Sequence, residues 1–131
     1  LIRNPDAQEG LSTSVALAAR HAELSGCDRL LLMLADMPLV TPALLERLIY
    51  AAMRGHNSAV RYPDGKPGIP AVFTRESFAS LQKLGGDRGA GLLLREDPDT
   101  VMVPTPVGEL SDVDTPEEIR AVEGALADWL R

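Results

Sequence analysis

The chain has 131 residues, a formal charge of −6, 45% hydrophobic and 24% charged residues, and a single cysteine. That length suits one domain, residues 1–131, with one core, and the composition is ordinary for a globular protein. The acidic balance excludes a nucleic-acid backbone partner, which calls for a basic face. No apolar run approaches the ~20 residues of a membrane span, so no membrane partner is expected. One cysteine, Cys27, excludes an internal disulfide and fits a reducing cytoplasm. It reads as a small buried or half-buried residue.

Leu1-Ile2 reads as the tail of a strand cut short, and an N-terminal portion is expected before it. Asn4-Pro5-Asp6 is turn chemistry. Leu11, Val15, Leu17, Ala18 and Leu24 then recur at helical spacing, with Ser12 and Ser14 in the first turn and Gly26 past the end. Hydroxyls and N–H groups at a helix start suit either a plain cap or an anion or ribose site. His21, mid-helix beside Arg20, reads as a solvated residue.

Leu30-Leu31-Leu32-Met33-Leu34 runs unbroken into Ala35-Asp36-Met37-Pro38. Such a run fits a strand buried on both faces in the middle of a parallel sheet. Pro38 donates no N–H, so the strand should stop at about Asp36. Asp36 then either caps the turn into the next helix or stands at the carboxyl end of a strand, where open α/β sheets place ligands. Thr41-Pro42 opens a helix with Leu44, Leu45, Leu48, Ile49 and Ala52 on its apolar face, ending at Gly55. His56, in the following turn, carries no chemistry.

Ser58 to Tyr62 reads as a short strand, Pro63 to Pro70 as a stiff irregular loop, and Ala71 to Thr74 as another strand. A helix bearing Phe78, Leu81 and Leu84 follows. Gly85 to Gly91 is glycine-rich but matches neither GxGxxG nor GxxxxGK[ST]. It suits either a helix–helix turn or a loop bringing N–H groups to a ligand before a helix at Ala90 to Arg95. Val101 to Val103 is a strand. Thr115, Pro116 and Glu118 then form a capping box and first turn, with Ile119, Val122, Leu126 and Leu130 as the buried stripe. Asp112 and Asp114 are two apart, so in extended chain they point the same way. Thr115 already supplies the cap, and the two spare acids read as metal ligands. The element order implies a mostly parallel sheet with helices on both faces.

Leu34 to Pro42 and Asp112 to Glu118 together resemble the MobA-like NTP transferase family, most closely its molybdenum-cofactor cytidylyltransferase branch. Asn4-Pro5 with Glu9 to Ser14, Lys66 to Pro70, and Gly85 to Ala90 fit the same family in order. The resemblance implies a three-layer, Rossmann-like nucleotidyltransferase (GT-A-like) α/β fold, N-terminally incomplete, of which this chain is the C-terminal two thirds. It also implies Mg²⁺-dependent transfer of a nucleoside monophosphate, CMP from CTP, onto a phosphorylated acceptor such as molybdopterin. By the same resemblance, Asp36, Asp112 and Asp114 hold the metal, and Asp36 and Asp114 are catalytic. Gly10, Ser12, Ser14, Ala35 and Asp36 bind the nucleotide, and Gly68, Pro70, Gly86, Asp87 and Gly89 face the acceptor. A molybdoenzyme or chaperone is the implied protein partner.

The family's glycine-rich, Arg- and Lys-bearing triphosphate loop has no counterpart in residues 1–131. Ile69 stands where the family has His, and Gly91 where it has Arg. The chemistry itself is coherent: carboxylates from separate loops suit Mg²⁺ shared with substrate phosphates, and phosphoryl-type transfer needs positioning and charge neutralisation above all. Two other readings exist. A nucleotide- or partner-binding remnant would keep the scaffold without catalysis. A phospho-acceptor receiver domain would need an acidic pair after the first strand and a lysine at a later strand end, whereas the acid pair is at 112–114 and Lys66 sits among prolines.

Overall fold

A computed structural model describes residues 1–85 and 88–129. The elements are α1 (Leu11–Leu24), β1 (Arg29–Leu32), α2 (Pro42–Ala51), β2 (Ser58–Arg61), β3 (Pro67–Thr74), α3 (Phe78–Gln82), α4 (Ala90–Glu96), β4 (Val101–Val103) and α5 (Pro116–Trp129). Residues alternate between faces along a strand, and here that alternation divides the core in two. Ala59, Ala71 and Phe73 face α1, α3 and α4, packing with Val15, Phe78, Leu81 and Leu94. Their neighbours Val60 and Val72 face the other way, onto Leu44 and Leu48 of α2 with Met37 and Leu110. The result is the expected sheet between two helical layers.

The strand order is β1-β3-β2-β4. β2 and β4 pair in parallel, whereas β3 runs antiparallel to both β1 and β2. Three of the four strands therefore share one direction, and β3 is inserted against it. The cause is a tight turn: the N–H of Tyr62 donates to the Lys66 carbonyl and that of Gly65 to the Tyr62 carbonyl, both at 2.9 Å. Gly65 takes a φ of +83° there, a conformation glycine adopts without steric cost. Strands joined by so short a turn must be antiparallel. Hence the second half of the long loop expected at Pro63 to Pro70 is strand, starting at Pro67. The β2–β3 register jumps from Ala59↔Ala71 to Val60↔Gly68, leaving Ile69 and Pro70 outside the ladder. The break falls at a proline, which has no N–H to contribute.

Several expectations need correction. β1 ends at Leu32, short of Asp36, and stands at the end of the strand order, its leucines only half-buried although they pack against both core clusters. Leu1-Ile2 forms no strand and is exposed. Cys27 is exposed, because it lies in the turn between α1 and β1. The capping box of α5 forms as expected, with Glu118 N–H on Thr115 Oγ1 at 3.2 Å. Its stripe, however, is not buried: Ile119 is 49% exposed, and Val122 and Leu126 are half-buried. Leu130 lies outside the described residues. Among them, no helix is long and apolar enough to cross a membrane.

Candidate functional site

Beyond β1 the chain turns through Ala35-Asp36, anchored by the buried side chain of Met37. Thr41 then caps α2, accepting from the Leu44 N–H at 3.3 Å. The same hydroxyl donates to Glu109 Oε2 at 3.1 Å, reaching a second segment that arrives from β4. A little further along, the N–H of Val113 donates to the carbonyl of Asp36 at 2.8 Å. Met37 and Leu110 share one apolar cluster beneath these two bonds. Two distant acidic turns, Asp36 and Asp112–Asp114, are thus held side by side at one edge of the sheet. Each is backed by a buried side chain and a backbone tie.

The three carboxylates are exposed. Among the described residues, none of them takes a hydrogen bond or an ion pair. What is pinned is the loop around them: Glu118 Oε2 accepts from the N–H groups of Asp114 at 2.7 Å and Thr115 at 2.9 Å. These bonds hold the Glu118 carboxyl below the usual glutamate range. Also among the described residues, no three His, Cys, Asp or Glu side chains converge into a group able to hold a metal by themselves. A divalent ion here would need further oxygens from substrate or water, which is how Mg²⁺ is ordinarily bound.

Tyr62, not singled out from the sequence, stands beside this edge. Burial, then the charges of Asp112 and Asp36, push its phenol above the ordinary tyrosine value. Its hydroxyl donates to the Ile69 carbonyl at 2.7 Å. A Cβ on Gly68 would lie 2.5 Å from its Cε2, so the ring packs where a larger residue could not. The available signal was the two-residue period that puts Tyr62 on the face of Val60, one residue past the strand.

The other expected residues fall in two adjoining depressions. Ser12, Ser14 and Gly89 line a largely apolar cavity of about 370 Å³ with Leu32, Leu34 and Ile69. Ser12 is 5% exposed, and its hydroxyl has no partner among the described residues. Ser14 is engaged, accepting from Asn4 Nδ2 at 2.8 Å. The cap position of α1 is Gly10 with no side-chain bond, so neither serine is the N-cap. Gly68 lines the second cleft, of about 550 Å³, with Leu34, Tyr62 and Ile69. Ala35 is exposed in the Asp36 turn. Pro70 is fully buried at the register break and lines neither depression. Gly86 and Asp87 lie outside the described residues.

Comparison with known proteins identifies the family and the fold. Residues 1–101 match the family model of the MobA-like NTP transferase domain. Purine catabolism protein PucB of Bacillus subtilis (strain 168) is 34% identical over 125 residues, covering 93% of this chain and 60% of that protein. The crystal structure of Rv0371c from Mycobacterium tuberculosis H37Rv superposes with a TM-score of 0.63 at 32% identity, covering 82% of this chain and 58% of that one. Its complex with manganese gives a TM-score of 0.60 at the same 32% identity, over 79% of this chain and 57% of that one. The homologue from mycobacterium sp. strain JC1, at 20% identity and a TM-score of 0.67, covers 87% of this chain and 59% of its own and shares the fold. The chain thus spans about three fifths of the length of these relatives. With the family model matching most of its length, the chain belongs to the MobA-like NTP transferase family.

Proposed function

We propose that this chain carries the metal-holding edge and the acceptor cleft of an enzyme that moves a nucleoside monophosphate from an NTP to a phosphorylated small molecule. The observation that carries the proposal is the bond from Val113 N–H to the Asp36 carbonyl, which sets two unengaged acidic turns side by side. Asp36, Asp112 and Asp114 offer the oxygen donors that Mg²⁺ or Mn²⁺ prefers. Such an ion, when bound, neutralises charge on the phosphates. In the reaction, an oxygen of the acceptor phosphate forms a bond to the α-phosphorus while the bond to pyrophosphate breaks, in line. The chain contributes positioning: the turns tied at Asp36 and Glu109 fix the metal edge, and Tyr62 walls the approach from the cleft.

CTP as the donor and molybdopterin as the acceptor belong to this proposal, on the resemblance of the Leu34–Pro42 and Asp112–Glu118 segments to the cytidylyltransferase branch. Gly10, Ser12, Ser14 and Ala35 are assigned to the nucleotide side, and Gly68 and Gly89 to the acceptor side. The name of the Bacillus subtilis relative adds purine catabolism as a setting for the product, and the manganese complex of Rv0371c supports a divalent ion. A cytoplasmic setting is part of the same reading. The test is calorimetric titration with CTP, GTP and ATP, with and without Mg²⁺. Asp36→Asn should weaken Mg²⁺-dependent binding by about tenfold or more, roughly 1.4 kcal/mol. Equal binding by Asp36→Asn and the parent chain would overturn the assignment.

A further inference from the structure

The cleft beside Tyr62 has a basic rim in an otherwise acidic chain. Lys66, in the β2–β3 turn, and Arg95, on the last turn of α4, both line it, with Leu34, Tyr62, Ile69 and Gly91 between them. Both also line a neighbouring hollow of about 210 Å³, so they stand on the ridge dividing the two depressions. A third cation approaches the same turn: a Cβ on Gly65 would lie 4.0 Å from Arg61 Nη2. Against these, the carboxylates at hand are Asp64 and, on the far side of the ridge, Asp97. Asp64 meets Lys66 at 3.9 Å with both side chains about three fifths exposed, a long pair worth little in water. Asp97 is bonded to Asn57 Nδ2 at 3.0 Å. Arg61 and Arg95 take no hydrogen bond or ion pair among the described residues. The ridge therefore carries a net positive charge in a chain of formal charge −6.

We propose that Lys66 and Arg95, with Arg61 behind them, form an anion clasp that draws the phosphorylated acceptor into the cleft. This rests on the nucleotidyltransferase reading above and adds to it the residues that select the acceptor. An acceptor seated there lies against Leu34, Ile69 and Gly91, while its anionic group is held at the rim. Tyr62 forms the wall shared with the acidic edge, so the route from the clasp to Asp36 and Asp112 runs along its ring. Positive charge at the clasp and negative charge at the acidic turns beyond Tyr62 orient the acceptor. They also raise its capture rate in a salt-dependent way.

The experiment is a titration of the full chain with inorganic phosphate, followed by amide chemical shifts, in the absence of divalent metal. Phosphate should move the amides of 62–68 and 91–97. Lys66→Ala and Arg95→Ala should each weaken it severalfold and the pair about tenfold, the worth of charge-assisted hydrogen bonds. Arg20→Ala, on α1, should change nothing. A cation in the last turn also favours the helix dipole, so melting midpoints are compared, and Lys66→Ala, in an exposed turn, serves as the variant with no such role. Parent-like affinity in the double variant, or equal shifts around Arg20 and Arg54, overturns the clasp. A second arm repeats the titration with saturating CTP and Mg²⁺: phosphate binding that persists supports an acceptor site, and displacement assigns the clasp to the donor triphosphate and overturns the proposal. If CTP with Mg²⁺ does not bind at all, the nucleotidyltransferase reading fails and takes the acceptor assignment with it, while the phosphate shifts still report the anion site.

Discussion

Val113 and Asp36 are 77 positions apart in sequence, yet the N–H of Val113 lies 2.8 Å from the carbonyl oxygen of Asp36. Because Val113 sits between Asp112 and Asp114, this one backbone bond sets the distance of two carboxylates from a third. Replacing Val113 by proline removes the donor while leaving every carboxylate in the chain. The bond is worth about 1 kcal/mol, so Mg²⁺-dependent nucleotide binding should fall by about fivefold in Val113→Pro. Val113→Ala, which keeps the N–H, should bind nearly as well as the parent. Equal loss in both variants would point to side-chain packing instead of the tie.

Glu118 holds the other flank of that loop, through the amides of Asp114 and Thr115. Glu118→Ala should speed hydrogen exchange at those two amides and blur the placement of Asp114, with Val113 less affected. The carboxyl is held below its ordinary range chiefly by the Asp114 amide, then that of Thr115. A lowered value in the folded state means the cap is fully formed above the ordinary glutamate value and is lost as pH falls through the lowered one. Acid should therefore fray the start of α5 in the parent, while in Glu118→Gln the exchange rates at Asp114 and Thr115 should lack that acid-linked step. Identical acid profiles in the two would contradict the cap.

Much of this edge was legible in the sequence because its signals are local. The turn at Asp36, the Thr41-Pro42 start of α2 and the Thr115–Glu118 box are each read within a few residues. What was not legible depends on partners. An apolar run such as Leu30 to Leu34 does not record which edge of a sheet it occupies, and β1 proved to be half-buried. Pro67 and Pro70 look like loop residues until the hairpin turn and the register break account for both. The apolar stripe of α5 is real in pattern, but a pattern does not record how much surface packs against it, and Ile119 is exposed. Tyr62 was missed for the same reason, since its role comes from Asp112, Asp36 and Gly68 meeting it from three separate segments.

Gly68 is required by a ring and not by its backbone. Among the glycines with φ in the left-handed region, Gly68 is absent, yet a Cβ there would sit 2.5 Å from Tyr62 Cε2. Gly68→Ala must displace the ring and with it the hydroxyl bond to the Ile69 carbonyl. A loss of about 1–3 kcal/mol is expected from overpacking. Tyr62→Leu should cost about 1 kcal/mol through the lost hydrogen bond, and adding Gly68→Ala to it should cost little more. Urea unfolding of the four species gives the coupling directly, and simple additivity would mean that ring and glycine do not interact.

At the opposite end of the sheet, Asn57 is 6% exposed and its side chain joins three residues. Its Oδ1 accepts from the Thr74 N–H at 2.9 Å and from Ser77 Oγ at 3.0 Å, and its Nδ2 donates to Asp97 Oδ2 at 3.0 Å. Asn57→Ala strands a buried backbone donor, which costs about 1–3 kcal/mol. Asn57→Asp keeps the acceptor but sets a second carboxylate against Asp97. It should be the less stable of the two at neutral pH and recover on acidification, when one carboxyl takes up a proton and can donate to the other. A pH-independent deficit in Asn57→Asp would show that Asp97 does not feel position 57.

The titration of Tyr62 reads the acidic edge without nucleotide or metal. Burial raises its phenol first, then Asp112, then Asp36. The chain has two tyrosines, so in a Tyr50→Phe background the phenolate absorbance belongs to Tyr62 alone. Asp112→Asn should bring the transition back toward the ordinary tyrosine value, Asp36→Asn by less, and the pair by most. A raised value in the folded state means that the neutral phenol is favoured there. Its contribution is fully present below the ordinary tyrosine value and is lost as pH rises through the raised one. Alkaline unfolding should accordingly begin later in Tyr62→Phe, which has no phenol to ionise. A Tyr62 transition that ignores both aspartates would mean that the two acidic turns do not stand together beside the ring, and the site built on them would fail with it.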